Sequence, residues 1–257
     1  MRHSAGPLNP PRRLLMGSGP SNPEPRVLQA MTTAPVAPDD PAAGALLNEV
    51  AELARRVFRT SRAFTLAVPG ASRAGIEAVL ASLISPGDRV LVGVYGHFGE
   101  LLCTLATLHG GTVERVDAEA WGHPVDSEDM AARIRRNPPR VVAIVHADTS
   151  SGILQPLEAI GGACRDTGAL FLADAVLSIG GCPVDFDAWS LDAAVGGLQK
   201  CLGGPPGLAL VAFSDRLRNA LAARRGRPQS LYLDLARLAE QWIEHDAAES
   251  PAKHCAS

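Results

Sequence analysis

The chain has 257 residues, 46% hydrophobic and 20% charged, and its 24 basic and 27 acidic residues leave a formal net charge of −3. That is a globular composition with ample core material, and it gives no electrostatic footing on nucleic acid or on a membrane surface. Five cysteines without CxxC spacing argue against a disulfide framework and against a zinc site. No apolar run reaches the ~20 residues needed to span a bilayer, and Met1 to Pro7 has no apolar leader, so the expected setting is a reducing cytoplasm.

Residues 1–20 hold four prolines and three glycines and read as an arm lying over another part of the molecule. Asn22-Pro23-Glu24-Pro25 then opens a short helix to about Met31, and Thr32 to Ala43 reads as a loop. Leu46, Leu47, Val50, Leu53 and Val57 have helical spacing, ending near Phe58.

From there strand and helix signals alternate. Phe64 to Val68 is a strand stopped by Pro69-Gly70. Ser72 is expected to cap a helix with Ile76, Val79, Leu80 and Leu83 on its inner face. Arg89 to Tyr95 is a strand, Phe98 to Leu108 a helix, Thr112 to Val116 a strand, and Ser127 to Arg136 a helix. Val141 to Val145 is continuously apolar, the pattern of a parallel strand covered on both faces. A helix from Leu157 to Asp166 precedes a buried strand, Leu170 to Ala173, that ends at Asp174. Ala193 to Val195 and Leu208 to Phe213 are two more strands, with helices over Asp215 to Ala223 and Leu233 to Ile243. The pattern predicts an α/β fold with a mainly parallel seven-stranded sheet. The expected organisation is an arm (1–20), one large domain (21–245) and a polar, disordered tail (246–257).

Ligands of open parallel sheets collect beyond the carboxyl ends of the strands, and several polar features fall there. Pro69-Gly70-Ala71-Ser72-Arg73 is a strand-to-helix turn whose amides suit a phosphate. Tyr95, followed by Gly96, offers a flat ring to a ligand or to the core. His146 to Gly152 carries hydroxyls that either bond a ligand or satisfy their own loop. His146 and Asp148 lie too close in sequence for a hydrolytic triad, and no serine sits in a GxSxG elbow.

Asp174, at the tip of a buried strand, needs a facing cation or several donors. A protonated pyridine nitrogen, a divalent cation or a set of capped amides would each serve. Lys200 lies among glycines, prolines and small apolar residues, where desolvation favours the neutral amine that attacks a carbonyl; the alternative is a loop lysine reaching out to water. A buried carboxylate followed by a lysine a strand and a loop later matches the way pyridoxal phosphate is tied and held protonated.

Five stretches together resemble the class V pyridoxal-phosphate aminotransferases: Leu14 to Pro23, Gly70 to Glu77, His146 to Gly152, Ala173-Asp174, and Gly197-Leu198-Gln199-Lys200-Cys201-Leu202-Gly203-Gly204-Pro205-Pro206-Gly207. Within these the chain is similar to the alanine–glyoxylate / serine–pyruvate group. Arg73-Ala74-Gly75-Ile76-Glu77 and Leu198 to Pro205 resemble its ureidoglycine–glyoxylate branch most. The resemblance runs from about Leu14 to Trp242. It implies a fold-type I large domain, pyridoxal 5'-phosphate as cofactor, small amino-acid and keto-acid substrates, and a homodimer.

Position by position, the resemblance makes Lys200 the Schiff-base lysine and proton carrier, and Asp174 the partner of the pyridine nitrogen. It makes Tyr95 the ring stacker, gives Thr149 to the ring hydroxyl region, and gives Ala71, Ser72 and Gln199 to the phosphate. The implied reaction transfers an amino group from alanine, serine or ureidoglycine to glyoxylate or pyruvate. The chain departs from the family at Ser18, where proline is usual; at Pro38, where a polar side chain is usual; and at Ala71, where a hydroxyl is common. After Trp242 it no longer follows the family, whose small C-terminal domain supplies a carboxylate-binding arginine. A cofactor-binding remnant without turnover is therefore the alternative expectation, and a Cys201-based desulfuration a weaker one.

Overall fold

The computed structural model describes residues 10–224 and 228–247. Eight helices and nine strands follow one another in these residues. The helices are α1 (Pro25–Ala30), α2 (Pro41–Val57), α3 (Ser72–Leu83), α4 (His97–Leu108), α5 (Ser127–Arg136), α6 (Glu158–Thr167), α7 (Asp215–Ala222) and α8 (Leu235–Ala247). The strands are β1 (Phe64–Pro69), β2 (Arg89–Val94), β3 (Thr112–Asp117), β4 (Val141–Val145), β5 (Ala147–Asp148), β6 (Ile153–Leu154), β7 (Leu170–Asp174), β8 (Ala193–Gly197) and β9 (Leu208–Phe213).

Seven strands form one sheet in the order β1-β9-β8-β7-β4-β2-β3, and β5 and β6 form a separate small hairpin. All pairings in the large sheet are parallel except those of β9, which runs against both neighbours. The expected α/β fold with a mainly parallel seven-stranded sheet is present.

β4, β7 and β8 are buried at every position, which requires cover on both faces. Helix α3 packs on β8 and β9 and touches α4, while α5 and α6 form a second pair. The face of α3 expected to point inward does so: Ile76, Val79, Leu80 and Leu83 are all buried. In α6 the approach is so close that a Cβ on Gly161 would run into the carbonyl of Trp189. Backbone cannot give way as a flexible side chain can. Gly161→Ala is expected to destabilise the protein by about 2 kcal/mol or more, read as a lowered urea midpoint with unchanged slope.

Helix α8 spans Leu235–Ala247, beyond the expected end at Ile243, so the first two residues of the expected disordered tail are helical; two helix starts also differ from expectation. Helix α2 begins at Pro41 rather than Leu46, because Asp40 accepts a hydrogen bond from the Ala42 amide and Pro41 takes the first helical position. Its opening turn is mostly exposed, so no apolar spacing announces it. Ser72 is the first residue of α3 rather than its cap; the cap position falls to Ala71, which has no side chain able to bond the free amides. Residues 1–9 of the expected arm and 248–257 of the expected tail lie outside the described residues.

Candidate active site

The strand order reverses between β2 and β4: β3 lies outward of β2, while β4 leads on to β7 and β8. The loops leaving β2 and β4 therefore diverge and open a crevice at the carboxyl edge. β1 delivers the Gly70–Arg73 turn to the same edge, β7 delivers Asp174, and the β8–β9 connection delivers Lys200. A cavity of about 200 Å³ lies there, and Ala71, Ser72, Thr149, Asp174, Gln199 and Lys200 all line it. Residues scattered over most of the chain thus meet in one place.

Asp174 is 4% exposed, and its Oδ1 accepts a hydrogen bond from the Val176 amide at 3.0 Å. Burial pushes its carboxyl up to about 6; the nearby Asp148 adds to the rise, while the Val176 amide and Lys200 oppose it. Such a carboxylate is stabilised by a cation placed against it. Lys200 is half-buried, and its Nζ donates to the Ser18 carbonyl at 2.6 Å. The residues just after the arm hold this loop along its length: the Ser21 amide donates to Gln199 O at 2.8 Å, Ser21 Oγ to Lys200 O at 2.8 Å, and the Glu24 amide to Gly203 O at 2.9 Å. Ser18, one of the family departures, thus meets the lysine through its backbone, which any residue supplies.

At the start of α3, Gln199 Nε2 donates to Ser72 Oγ at 2.9 Å, and Ser72 Oγ to Gln199 Oε1 at 3.0 Å. Gly197 leaves room for this pair, since a Cβ there would lie 2.7 Å from Ser72 Oγ. The helix has no side-chain cap and no acidic residue in its first turn. Arg73 lines the cavity and makes no ion pair among the described residues. Open amides at the positive end of a helix dipole, beside a free guanidinium, suit an anion.

The aromatic ring at the cavity is Phe98, not Tyr95. Tyr95 is 4% exposed, and its hydroxyl donates to Val145 O at 2.7 Å. It borders a separate groove with His97 and Trp121. Strand β2 ends at Val94 and α4 begins at His97, so Tyr95 is tucked under the end of β4 while the first helical turn carries Phe98 to the cavity. The signal in the sequence was Phe98 between Gly96 and Gly99. His146 is buried with its Nδ1 2.8 Å from Ser178 Oγ and its ring edge-on to Trp189. Burial lowers its pKa to about 4, and Ser178 is buried as well, so this pair offers no accessible nucleophile.

The aminotransferase class-V family profile matches residues 40–231. The chain belongs to the class V aminotransferase family. It is 43% identical to the (S)-ureidoglycine–glyoxylate transaminase of Bacillus subtilis over 91% of its own length and 60% of that protein. It is 34% identical to the alanine–glyoxylate aminotransferase of Callithrix jacchus, over 92% and 57%. Two crystal structures superpose with a TM-score of 0.89: ureidoglycine–glyoxylate aminotransferase from Bacillus subtilis, at 45% identity over 91% of this chain and 60% of that one, and alanine–glyoxylate aminotransferase from Nostoc sp., at 41% identity over 93% and 63%. The chain spans about 60% of the length of the relatives it matches.

Class V membership implies pyridoxal phosphate, and the cavity fits it on its own chemistry. A buried carboxylate with a raised pKa suits a facing cation, an amine lines the same cavity, and an uncapped helix start offers donors for a phosphate. Among the described residues no helix is long and apolar enough to cross a membrane.

Proposed function

We propose that this chain is the cofactor-binding large domain of a transaminase, moving the amino group of a small amino acid (alanine, serine or ureidoglycine) to glyoxylate or pyruvate. The carrying observation is that Asp174 and Lys200 line one cavity. Bound there, pyridoxal phosphate supplies an electron sink for the charge left when the donor's Cα loses its proton. Lys200 Nζ is the group that attaches the cofactor and moves that proton. The Asp174 carboxylate would keep the ring nitrogen protonated, while the amides of Ala71 and Ser72, with the Gln199 side chain, would hold the phosphate. Phe98, which lines the cavity, would cover the ring and keep water from it, and Thr149 would serve the ring hydroxyl region.

In this reading an arm (residues 1–20) precedes the large domain, which α8 carries to Ala247, in a cytoplasmic homodimer. Leu14, Met16, Leu46 and Leu53, all about half exposed or more, are apolar material for the dimer contact. A second reading is cofactor binding without turnover: the residues assigned above hold the cofactor, and none of them is assigned to the substrate.

Titrating the purified protein with pyridoxal phosphate, then with each donor, tests both readings. The expected result is a visible absorption band that bleaches with one or more of alanine, serine and ureidoglycine as keto acid appears. A band that forms but does not respond to any donor selects the second reading, and no band at all overturns both.

A further inference from the structure

Asp148 is fully buried at the end of β5 and is not among the cavity-lining residues. Its Oδ2 accepts from the Phe98 amide at 3.1 Å. Its Oδ1 accepts from the Ser150 amide and the Ser150 hydroxyl, both at 2.6 Å. Ser150 Oγ in turn accepts from the His97 amide at 2.8 Å. The first two residues of α4 therefore have their amides bonded by a loop from another strand, because Gly96 at the cap position has no side chain to do it. Gly96 is also what lets the carboxylate in, since a Cβ there would lie 2.5 Å from Asp148 Oδ2. This bridge crosses from the loop after β4 to the loop after β2, the two that diverge where the strand order reverses.

We propose that Asp148 is a positioning residue: directly through the Phe98 amide, and by way of Ser150 through the His97 amide, it fixes the Phe98 ring against the cofactor. The inference rests on the cofactor site argued above. An amide held by a buried carboxylate is a strong, directional tether. Without it, the crevice that admits the cofactor also frees the ring meant to cover it. Asp148 acts through Phe98, so its removal does no more than removal of Phe98 itself.

A double-mutant cycle on cofactor affinity reads this directly. Phe98→Ala is expected to weaken pyridoxal phosphate binding about tenfold, the scale of a stacking contact. Asp148→Ala weakens it by a similar factor or less, and the double variant is no worse than Phe98→Ala alone. Asp148→Asn keeps one acceptor oxygen for the Phe98 amide and recovers most of the affinity. Effects that multiply in the double variant overturn the proposal and assign Asp148 to an independent role, such as its charge near Asp174.

A second readout needs no cofactor. Hydrogen exchange in the cofactor-free protein should show the Phe98 and His97 amides losing protection in Asp148→Ala while the rest of α4 keeps it. Should Asp148→Ala not fold, Ser150→Ala removes only the link to His97 and should selectively expose that amide. Unchanged protection in both variants overturns the proposal. A protein that forms no visible band, yet loses these two amides' protection, refutes the cofactor reading and leaves the clamp standing.

Discussion

Lys200→Ala is expected to abolish the visible band formed with pyridoxal phosphate and to lower transamination by more than ~10⁴-fold. The size follows from one atom serving twice in the proposed reaction, where Lys200 Nζ both attaches the cofactor and moves the proton. No neighbouring amine stands in for it: Arg73 is the other cation lining the cavity, and a guanidinium stays protonated at any working pH. For the same reason Lys200→Arg should behave as Lys200→Ala does. The lysine's packing sharpens the expectation. A Cβ on Gly19 would lie 2.5 Å from Lys200 Nζ, so the arm leaves little room for a differently placed base. Turnover within tenfold of the wild type in either variant would refute the assigned role.

Asp174→Asn has two consequences of opposite sign. In the loaded protein it removes the anion proposed to keep the ring nitrogen protonated, and turnover should fall by about 10²–10³-fold. In the cofactor-free protein it should stabilise. The folded-state carboxyl is held at about 6 against an ordinary 3.8, so between those values the folded state binds more protons than the unfolded one. Stability therefore falls as pH rises through this window, by roughly 3 kcal/mol once ionisation is complete.

His146 works the other way. Its folded value near 4 lies below the ordinary 6.5, so the unfolded state binds more protons and stability falls, by roughly 3 kcal/mol, as pH drops from 6.5 towards 4. In the wild type these two slopes oppose each other over much the same range. Cofactor-free Asp174→Asn should therefore be more stable than wild type above pH 6 and match it near pH 4. It should also lose stability on acidification that the wild type hides. Urea midpoints from pH 4 to 8 decide the matter, and parallel profiles would contradict the assignment.

The parts of the molecule legible in its sequence are those where one local requirement dominates. Val141 to Val145 and Leu170 to Asp174 read as buried strands because cover on both faces demands an unbroken apolar run. Asp174 and Lys200 stood out because a charge is costly in such company. Class V membership was legible from motifs around the same residues. What escaped depends on partners far away along the chain. Helix α2 starts at Asp40-Pro41 in an exposed turn that apolar spacing does not mark. Phe98 rather than Tyr95 faces the cavity because of where α4 begins, and that start is fixed by Asp148 and Ser150 across the crevice. The β5–β6 hairpin carrying Asp148 has two residues in each strand, too few for any period to register.

The lone antiparallel strand governs the order in which the chain can assemble. Among the described residues β1 is the first strand to leave the ribosome, and its one sheet partner there is β9, the last of them, with Phe64 opposite Phe213. Synthesis thus proceeds through nearly the whole domain before the Phe64–Pro69 backbone has anything to pair with. Until then an apolar strand stands with both edges bare. Non-local closure of this kind is slow and leaves nascent chains prone to aggregation. Expression yield should accordingly be most sensitive to changes in β1 and β9, where each strand completes the other.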